Sequence, residues 1–457
     1  MLGAAAKIMS NNSLPENNLS GDYVIVGLGI TGLSVARYLT EKDIVPVVVD
    51  SRENPPGKEE LIQRYPEIKY YFGEFDKNIL AQAKQLIVSP GVSVKLPEID
   101  YAKSQGAEVV GDIELFSRVA DKPVVVITGS NGKSTVTTLV GEMFKRAGLK
   151  TGVGGNIGVP ALELLNQGNE IYILELSSFQ LETLTTLNSA SAVVLNISED
   201  HLDRYDSMQE YISAKEKVYL KTKLAVINRD DKVVSKMKQL NKEIGFTLGK
   251  PDADDFGLML INGQQWICRN NKALVNTEEL FLGGLHNVAN VMAALALCDD
   301  FNLPEDKVIS AIKEFSGLPH RMQCIANANG VKWFNDSKAT NVGAAEAAIN
   351  GLPDNVILIA GGESKEADLS PLKKPVQEKV KAMILIGRDA ALLEQICDGV
   401  TEVLHASCMY DAVVKAKSLA ERGDNVLLSP ACASFDMFKN YAHRGDVFTD
   451  AVKAVLS

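Results

Sequence analysis

The chain has 457 residues, of which 46% are hydrophobic and 23% are charged, and its formal net charge is −11 at neutral pH. This length is sufficient for about two to four domains with hydrophobic cores, and the composition is typical of an ordinary soluble globular protein. The negative charge argues against broad nucleic-acid binding, so an anionic substrate would have to be held by local positive charge and helix N-termini.

The cysteine pattern and the hydropathy exclude two further classes. The six cysteines show no C-x-x-C spacing, which indicates neither a zinc site nor a disulfide framework. No apolar run approaches the roughly 18 residues that a membrane-spanning helix needs. Residues 1–20 are rich in Asn and Ser and lack the apolar core of a signal peptide. We therefore expect a cytoplasmic protein without membrane insertion, in which residues 1–20 form a disordered extension.

Short β-branched runs alternate with longer helical patterns along the whole chain, which predicts an α/β fold with parallel sheets covered by helices. Three blocks are expected, at residues 21–111, 112–316 and 317–457. The strands predicted in them are Tyr23–Val26, Val45–Val49, Leu86–Val88, Tyr172–Leu176, Ala192–Ile197, Val331–Phe334, Val356–Ala360, Ala382–Ile386 and Val426–Leu428.

A glycine fingerprint follows the first predicted strand and opens a helix, with glycines at positions 27, 29 and 32. In such a turn the first glycine permits the tight bend, the second allows a diphosphate to approach, and the third lets helix and strand pack closely. Asp50, after the next strand, stands where a ribose hydroxyl is usually bound. The pattern by itself is Rossmann-like. It leaves open an NAD-dependent oxidoreductase or a fold that binds nothing.

An ATP phosphate site is predicted where the strand ending at Thr128 runs into Gly-Ser-Asn-Gly-Lys-Ser-Thr. Backbone N–H groups of this turn and of the following helix can surround a polyphosphate, Lys133 can neutralise its outer charge, and Ser134 can ligate Mg²⁺. The loop is a shortened variant of the general motif, because Ile127 stands where the first glycine would be. The alternative is a strand-to-helix turn without a ligand. Together, the two glycine turns indicate an enzyme that uses ATP to activate a nucleotide-linked substrate.

Charged residues follow the strands of the central block. Glu175 lies near the end of one strand and His201 lies just past the next. A carboxylate near a triphosphate suits Mg²⁺, whereas a histidine is a less usual ligand for it and has a surface or capping role as its alternative. Lys215 has the pattern of an ordinary charge on a solvated helix face, and its spacing indicates nothing more.

The last block places basic and hydroxyl residues after strands. Lys338 follows Asp336 at what resembles a helix start, and Lys365 follows two glycines in the same way. Such places suit a dicarboxylate or a phosphate. Ser434 is predicted either to cap a helix or to bind a carboxylate. No motif ties Cys432 to a histidine, which argues against a nucleophilic role.

Motifs along nearly the whole chain resemble the Mur ligase family. They are Gly-Leu-Gly-Ile-Thr-Gly-Leu-Ser, Thr-Gly-Ser-Asn-Gly-Lys-Ser-Thr, Leu-Glu-Leu-Ser-Ser-Phe-Gln-Leu, Asp-His-Leu-Asp-Arg, Gly-Leu-His-Asn-Val-Ala-Asn, Leu-Pro-His-Arg, Asn-Asp-Ser-Lys-Ala-Thr-Asn and Ser-Pro-Ala-Cys-Ala-Ser-Phe-Asp. The resemblance implies three domains that match the three blocks: a Rossmann-like domain that binds a UDP-substrate, a central P-loop ATPase-like domain with a mostly parallel sheet, and a Rossmann-like C-terminal domain that binds an amino acid.

Within the family, the last two motifs and Lys365 are most similar to members that add D-glutamate to UDP-N-acetylmuramoyl-L-alanine. The implied activity is an ATP-dependent amide ligation in peptidoglycan precursor synthesis, with ATP and Mg²⁺ and through an acyl-phosphate intermediate. A monomer without nucleic-acid partners is expected. Lys215 matches the lysine that the family carbamylates, and its added carboxylate would ligate a second Mg²⁺.

The resemblance also implies a role for each site residue. The implied catalytic residues are Lys133, Glu175, His201 and Lys215, and the implied metal ligands are Ser134, Glu175, His201 and carbamylated Lys215. The implied ATP-binding residues are Gly129, Ser130, Asn131, Gly132, Lys133, Ser134, Thr135, Asn287, Asn290, Arg321, Asp336 and Lys338. The UDP-substrate set is Ile30, Thr31, Asp50, Ser51, Arg52, Ser89, Gly91, Asn156 and His201. The D-glutamate set is Thr340, Lys365, Ser434, Phe435 and Tyr441.

Several alternatives stay open at this stage. The specificity of another Mur ligase is one, and a ligase of the folylpolyglutamate type, which shares the ATP loop and the acyl-phosphate logic, is a second. An NAD-dependent oxidoreductase would explain the first glycine turn but would leave the second without a role. A non-catalytic nucleotide-binding module is the last.

Overall fold

The computed structural model describes residues 22–198, 204–237, 242–252, 254–282, 284–364 and 367–457. The predicted N-terminal extension, His201 and Lys365 therefore lie outside the described residues. Two compact units are present: unit 1 runs to Lys133 and resumes from Gly148 to Ile244, and unit 2 takes Ser134–Ala147 and Gly245–Ser457. No helix in the described ranges has both the length and the apolar character that crossing a membrane requires.

The helices and strands follow one another in chain order. The first third contains β1 (Tyr23–Val26), α1 (Ile30–Thr40), β2 (Val47–Asp50), α2 (Lys58–Arg64), β3 (Lys69–Phe72), α3 (Lys77–Leu80), β4 (Gln85–Val88), α4 (Pro97–Ser104), β5 (Glu108–Val110) and α5 (Asp112–Ser117). The central part contains β6 (Val124–Thr128), α6 (Lys133–Arg146), β7 (Thr151–Gly155), β8 (Ile171–Glu175), α7 (Ser178–Glu182), β9 (Ser191–Val194), α8 (Met208–Glu216), β10 (Leu224–Asn228), β11 (Lys242–Phe246), β12 (Phe256–Ile261), β13 (Gln264–Arg269), β14 (Lys272–Asn276), α9 (Leu285–Leu297) and α10 (Glu305–Glu314).

The last third contains β15 (Gln323–Ala328), β16 (Val331–Asn335), α11 (Val342–Gly351), β17 (Val356–Gly361), α12 (Lys373–Lys379), β18 (Val380–Ile386), α13 (Ala390–Ile396), β19 (Glu402–His405), α14 (Met409–Leu419), β20 (Asn425–Leu428) and α15 (Tyr441–Leu456). Short 3₁₀ helices lie at Ala161–Leu164, Lys217–Tyr219, Val234–Lys236, Thr277–Glu279, Asp299–Phe301 and Ser370–Leu372.

Unit 1 contains two groups of parallel strands. The first has the order β3-β2-β1-β4-β5, and the second has the order β10-β9-β6-β8-β7. Ile25 of β1 packs in one buried cluster, and the adjacent residues Val24 and Val26 pack in another, because successive side chains of a strand point to opposite faces. Both faces of the first sheet are therefore covered, as the runs of β-branched residues predict.

Unit 2 contains a six-stranded sheet of order β15-β16-β20-β17-β18-β19. Only the β15–β16 pair is antiparallel among these strands. Strands β12, β13 and β14 form antiparallel hairpins elsewhere in unit 2. The sheets are thus mostly parallel, and the predicted α/β fold class is confirmed.

Two local predictions were wrong. The strand predicted to reach Ile197 ends at Val194, because the backbone beyond it leaves the sheet and the carbonyl of Asn196 accepts the N–H of Ser130 at 3.0 Å. The helix start expected directly after β17 is absent from residues 361–364, where Gly361 and Gly362 have φ values of 116° and 134° and Glu363 makes an isolated antiparallel bridge with Ala433. These φ values lie in the region that favours glycine and are incompatible with helix.

Candidate active site

A cleft of about 550 Å³ lies at the carboxyl ends of the first sheet in unit 1. Loops that follow β1, β2, β4 and β7 form its walls. It brings together all the described residues of the implied UDP-substrate set, namely Ile30, Thr31, Asp50, Ser51, Arg52, Ser89, Gly91 and Asn156. Carboxyl ends of parallel strands meet at one edge of a sheet, which is where α/β proteins bind ligands.

The Asp50 carboxylate organises one wall of this cleft. One oxygen accepts the Leu28 N–H at 2.7 Å, and the same carboxylate accepts the Arg52 side chain at 2.7 and 2.8 Å and the Arg52 backbone N–H at 2.9 Å. Burial opposes ionisation, but these hydrogen bonds outweigh it and lower the pKa of Asp50. Asp50 therefore stays charged and fixes the first glycine turn and the Arg52 guanidinium, whose side chain is 54% exposed.

The glycine turn itself tolerates no side chain at Gly32. A Cβ atom there would lie 2.2 Å from the carbonyl oxygen of Gly27, and Gly27 itself has a φ of 95°. Gly29 differs, since a Cβ atom there meets nothing within 4 Å. The structure thus assigns Gly27 and Gly32 to backbone geometry and leaves the space in front of Gly29 open to the cleft.

The predicted phosphate loop follows β6 and leads into α6. Gly129 and Gly132 have φ values of 147° and 83°, which only glycine adopts readily. Lys133 donates from Nζ to the carbonyls of Gly129 and Ser130 at 2.8 and 2.9 Å, so its ammonium folds back over the loop. Asn131 exchanges two hydrogen bonds with Asn196, at 2.8 and 3.0 Å. Ser134 and Thr135 follow in the first turn of α6.

Glu175 ends the strand beside the phosphate-loop strand, with Glu175 paired to Ile127. Its side chain is only 3% exposed. One carboxylate oxygen accepts Nδ2 of Asn156 at 2.8 Å, whereas Oε2 has no hydrogen-bond partner among the described residues. An unpartnered buried carboxylate oxygen is costly. Oε2 therefore has the chemistry of a ligand for a hard cation.

Lys215 reaches the same loop from α8. Its side chain is 2% exposed, and Nζ donates to the carbonyl of Gly129 at 2.9 Å and lies 3.5 Å from the Thr128 hydroxyl. The Tyr211 ring lies 4.8 Å below the ammonium, and the Tyr211 hydroxyl pairs with Ser130 at 2.9 Å. Treating Lys215 as a charge on a solvated helix face was wrong, because α8 turns this face toward the loop. Sequence spacing gave no signal of this contact.

Unit 2 carries the rest of the implied ATP-binding residues. Asn287 and Asn290 lie one turn apart on α9, and Nδ2 of Asn290 donates to Asn287 at 3.3 Å. Arg321 is exposed and is flanked by two residues in the left-handed region, His320 with φ of 61° and Met322 with φ of 42°. Non-glycine residues in this region carry strain and cluster at functional sites.

Asp336 and Lys338 follow β16. The Asp336 carboxylate accepts the Ser429 hydroxyl at 2.9 Å and the Met322 N–H at 3.1 Å, and burial raises the pKa of Asp336 to about 6. The Lys338 ammonium lies 4.0 Å from the centre of the Tyr441 ring, a cation–π contact. Tyr441, from the implied D-glutamate set, thus touches Lys338, from the implied ATP set.

The other described residues of the D-glutamate set follow two paired strands of unit 2, β16 and β20. Thr340 lies two residues beyond Lys338, and Ser434, 2% exposed, lies in the turn after β20. Phe435 follows and is 64% exposed. The capping alternative for Ser434 was wrong, because the following helix begins at Tyr441 and its N-cap is Asn440.

Comparisons with known proteins match this architecture. The model of the Mur ligase MurD-like N-terminal domain matches residues 21–111, that of the Mur ligase middle domain matches 127–298, and that of the Mur ligase glutamate ligase domain matches 320–432. The chain belongs to the Mur ligase family.

Full-length relatives within the Mur ligases are similar to this chain. A UDP-N-acetylmuramoylalanine–D-glutamate ligase from Nitrosococcus oceani is 49% identical over 438 residues, which cover 95% of this chain and 97% of the relative. One of the same name from Pseudomonas syringae pv. tomato is 46% identical, covering 94% and 98%. The solved UDP-N-acetylmuramate–alanine ligase of Thermotoga maritima shares the fold, with a TM-score of 0.53 at 18% identity and coverage of 94% of this chain and 99% of that chain.

Two buried side chains of this Mur ligase escaped the sequence analysis. Gln180 lines the cleft, and its Nε2 donates to Asp112 at 3.3 Å. Burial raises the pKa of Asp112 to about 6, and its Oδ1 has no hydrogen-bond partner among the described residues. Gln180 stood inside a motif of the resemblance, which was the only available signal. Asp112 stood in an acidic helix start, where a solvated carboxylate is the usual outcome.

Arg204 is a third residue without an assigned role. It donates to the carbonyls of Pro90 and Val92 at 2.9 and 2.8 Å, and its guanidinium lies 4.1 Å above the Phe179 ring. It therefore ties the loop that carries Ser89 and Gly91 to the element that carries Gln180, and this places it behind the cleft wall.

Proposed function

We propose that this Mur ligase joins D-glutamate to UDP-N-acetylmuramoyl-L-alanine at the expense of ATP, with ADP and phosphate as the other products. The observation that carries the proposal is the near full-length similarity, at 46–49% identity, to ligases of that name. Peptidoglycan precursor synthesis is the process that this reaction serves.

The geometry of unit 1 supports the proposal independently of the names. Asn156 lines the cleft and donates to Glu175, which ends the strand next to the phosphate-loop strand. A single hydrogen bond of 2.8 Å thus links the cleft to the edge of the phosphate loop. A UDP-substrate bound in the cleft with its free carboxylate toward Asn156 would present that carboxylate to a γ-phosphoryl group held at the loop.

The chemistry that this arrangement serves has two steps. A carboxylate oxygen of the alanyl group attacks the γ-phosphorus of ATP, the bond to the bridging oxygen breaks, and ADP leaves. The amine of D-glutamate then attacks the carbonyl carbon of the acyl phosphate, phosphate leaves, and the nitrogen loses a proton to form the amide. Lys133 and the loop N–H groups would hold the phosphates in line, because phosphoryl transfer depends mainly on positioning and electrostatic stabilisation.

Mg²⁺ fits the residues around the loop. Glu175 Oε2 is a buried carboxylate oxygen without a described hydrogen-bond partner, which is the kind of ligand that this ion prefers. When bound, Mg²⁺ would neutralise phosphate charge during transfer. We assign Ser134 and Glu175 as ligands, together with His201, which lies outside the described residues, and Lys215 if it is carbamylated. Lys215 lies within reach of the loop, at 2.9 Å from the Gly129 carbonyl.

The assignment of the remaining parts follows the same proposal. Residues 21–111 would bind the UDP-substrate, residues 112–316 would bind ATP and residues 317–457 would bind D-glutamate. In the last of these, Lys365, which lies outside the described residues, would pair with a carboxylate of D-glutamate. A monomer that acts in the cytoplasm stays the expectation, and no role is assigned to residues 1–20.

The test is phosphate release from ATP by the purified full chain with UDP-N-acetylmuramoyl-L-alanine and Mg²⁺. D-glutamate, L-glutamate, L-alanine and meso-diaminopimelate are compared as acceptors, and a reaction without acceptor is the control. We expect release that requires D-glutamate. Release with another acceptor would retain the ligase chemistry and overturn the specificity, whereas no release with any acceptor would overturn the ligation itself.

A further inference from the structure

Arg444 is a fully buried cation in the second turn of α15, with a relative exposure of 0%. Burial lowers the pKa of Arg444 to about 10, so the guanidinium still carries its charge at neutral pH. Arginine is almost never fully buried unless it is well partnered, because the desolvation of its charge is costly. The position of this side chain therefore needs an explanation in what it contacts.

The guanidinium holds two loops of unit 2 together. Nε donates to the Ser337 hydroxyl at 2.9 Å, Nη2 donates to the Ser337 carbonyl at 2.9 Å, and Nη1 donates to the Cys432 carbonyl at 3.0 Å. These acceptors are neutral, and two of them are backbone carbonyls. The planar fork thus fixes the course of the main chain at Ser337 and Cys432, in a geometry that the point charge of a lysine cannot reproduce.

The same network extends to the start of α15. The Ser337 hydroxyl donates to the carbonyl of Tyr441 at 2.8 Å. Ala431, next to Cys432, has a φ of 59°, a conformation that a non-glycine residue keeps only where its surroundings enforce it. Three segments therefore meet at one buried side chain, and each carries a residue of the implied D-glutamate set: Thr340, Ser434 and Tyr441.

We infer that Arg444 is a positioning residue for the amino-acid acceptor: its hydrogen bonds to Ser337 and Cys432 set the relative positions of Thr340, Ser434 and Tyr441 before the acceptor binds. The inference rests on the proposed function. Its physical basis is preorganisation, because groups that are already fixed need not be ordered when the ligand arrives. No substrate contact is assigned to Arg444 itself.

The test is the kinetics of Arg444→Lys in the full chain, with Arg422→Lys as the matched control at an exposed position of unit 2. We expect the KM for D-glutamate to rise about tenfold in R444K, the factor that corresponds to one lost charge-assisted hydrogen bond. The KM for UDP-N-acetylmuramoyl-L-alanine should stay at the wild-type value, since its cleft lies in unit 1. R422K should match the wild type in both constants.

Two further measurements keep the inference testable if R444K loses stability. Ser337→Ala removes one acceptor of the guanidinium and the hydrogen bond to the Tyr441 carbonyl, but it keeps both backbone carbonyls that Arg444 holds. It should therefore raise the KM for D-glutamate by less than R444K, and the double variant should show less than the product of the two effects. Amide hydrogen exchange of the free protein should be faster in R444K at residues 337–340 and 431–434, and unchanged in unit 1.

The outcomes separate this inference from the proposed function. A wild type that releases no phosphate with D-glutamate overturns both, and this is seen before any variant is made. With an active wild type, an unchanged KM for D-glutamate in R444K overturns the inference alone. A parallel rise in the KM values of both substrates also overturns it, because that result would mark a general structural role.

Discussion

Two regions of the molecule satisfy their buried polar groups in opposite ways. The first is the cleft and phosphate loop of unit 1, and the second is the loop pair of unit 2, which follows β16 and β20 at residues 336–340 and 429–434. In unit 1, Glu175 beside the phosphate-loop strand and Asp112 beside Gln180 of the cleft are each buried with one carboxylate oxygen that has no hydrogen-bond partner among the described residues. In unit 2, both oxygens of Asp336 accept hydrogen bonds, and Arg444 donates to three oxygens. In the first region, buried carboxylate oxygens remain available to a ligand. In the second region, the buried polar groups bond to other protein groups.

This difference separates two kinds of residue. A buried polar atom without a hydrogen-bond partner lowers stability until a ligand binds it, so replacing its residue should impair activity and leave the fold intact. A buried group whose partners are all protein atoms supports the fold, so its loss leaves other groups unpaired. Three substitutions test the contrast, from the largest expected effect to the smallest.

The largest effect is expected for Glu175→Gln. The amide keeps the shape of the side chain and an oxygen for Asn156, but it removes the charge that would face Mg²⁺. We expect the rate of D-glutamate-dependent phosphate release to fall on the order of 1,000-fold, as for the loss of a central electrostatic contact. The melting temperature should not fall, because a buried charge with an unpartnered oxygen is removed.

Glu142→Gln provides the control for that experiment, since the Glu142 side chain is 41% exposed and the substitution is the same. It should leave rate and melting temperature unchanged. A wild-type rate in E175Q would refute the role of Glu175, and a large loss of stability would show that Oε2 is satisfied by the protein after all.

The second substitution is Asp112→Asn, and its effect is measured as a change in stability with pH. Burial raises the pKa of Asp112 to about 6 in the folded chain, above its ordinary value of 3.8. The folded state therefore binds this proton more tightly than the unfolded state, and the contribution of Asp112 to stability is lost as the pH rises from about 4 to above 6. The difference in pKa corresponds to on the order of 3 kcal/mol.

Asparagine does not titrate, so the melting temperature of D112N relative to that of the wild type should increase by about 6 °C or more between pH 4 and pH 7.5. Asp121→Asn, at an exposed position of the same unit, is the control and should show no such change with pH. A difference between D112N and the wild type that stays constant with pH would contradict the raised pKa.

The smallest effect is expected for Ser429→Ala in unit 2. The variant removes the hydroxyl that donates to Asp336 at 2.9 Å and leaves a buried carboxylate oxygen unpaired, at a cost of about 1–3 kcal/mol. Because that hydrogen bond lowers the pKa of Asp336, the acidic limb of the rate–pH profile should also move to higher pH. Thermal melting and the rate profile measure the two effects.

Ser418→Ala, at an exposed serine, is the matched control for S429A. If S429A melts like the wild type, the loop pair of unit 2 does not depend on its internal hydrogen bonds, and the contrast between the two regions disappears.

The fold and much of the site were predictable because they depend on local backbone requirements. Buried parallel strands read as runs of β-branched residues, and the positive φ values at Gly27, Gly129 and Gly132 demand glycine. Residues just beyond strands of one sheet converge at its carboxyl edge, and seven of the eight described residues of the UDP-substrate set end or follow strands of the first sheet in this way. Asn156, the eighth, follows β7 of the other sheet and lines the same cleft.

The contacts that local sequence spacing did not indicate are those of charged side chains inside helices. Lys215 lies in α8 and Arg444 in α15, and each has neighbours that look like an ordinary amphipathic helix. Only the packing of each helix decides whether such a side chain meets water or a buried loop. Lys215 meets the carbonyl of Gly129, 86 positions earlier in the chain, and Arg444 meets Ser337, 107 positions earlier.

The sequence by itself therefore determined the α/β class, the two glycine turns and the membership of the cleft. The class and the turns follow from backbone geometry at neighbouring positions, whereas the membership of the cleft follows from the resemblance to the Mur ligases. The tertiary structure alone decided which buried charges face an open site and which hold the scaffold. The reason is that desolvation and hydrogen-bond partners depend on contacts between segments that are far apart in the chain.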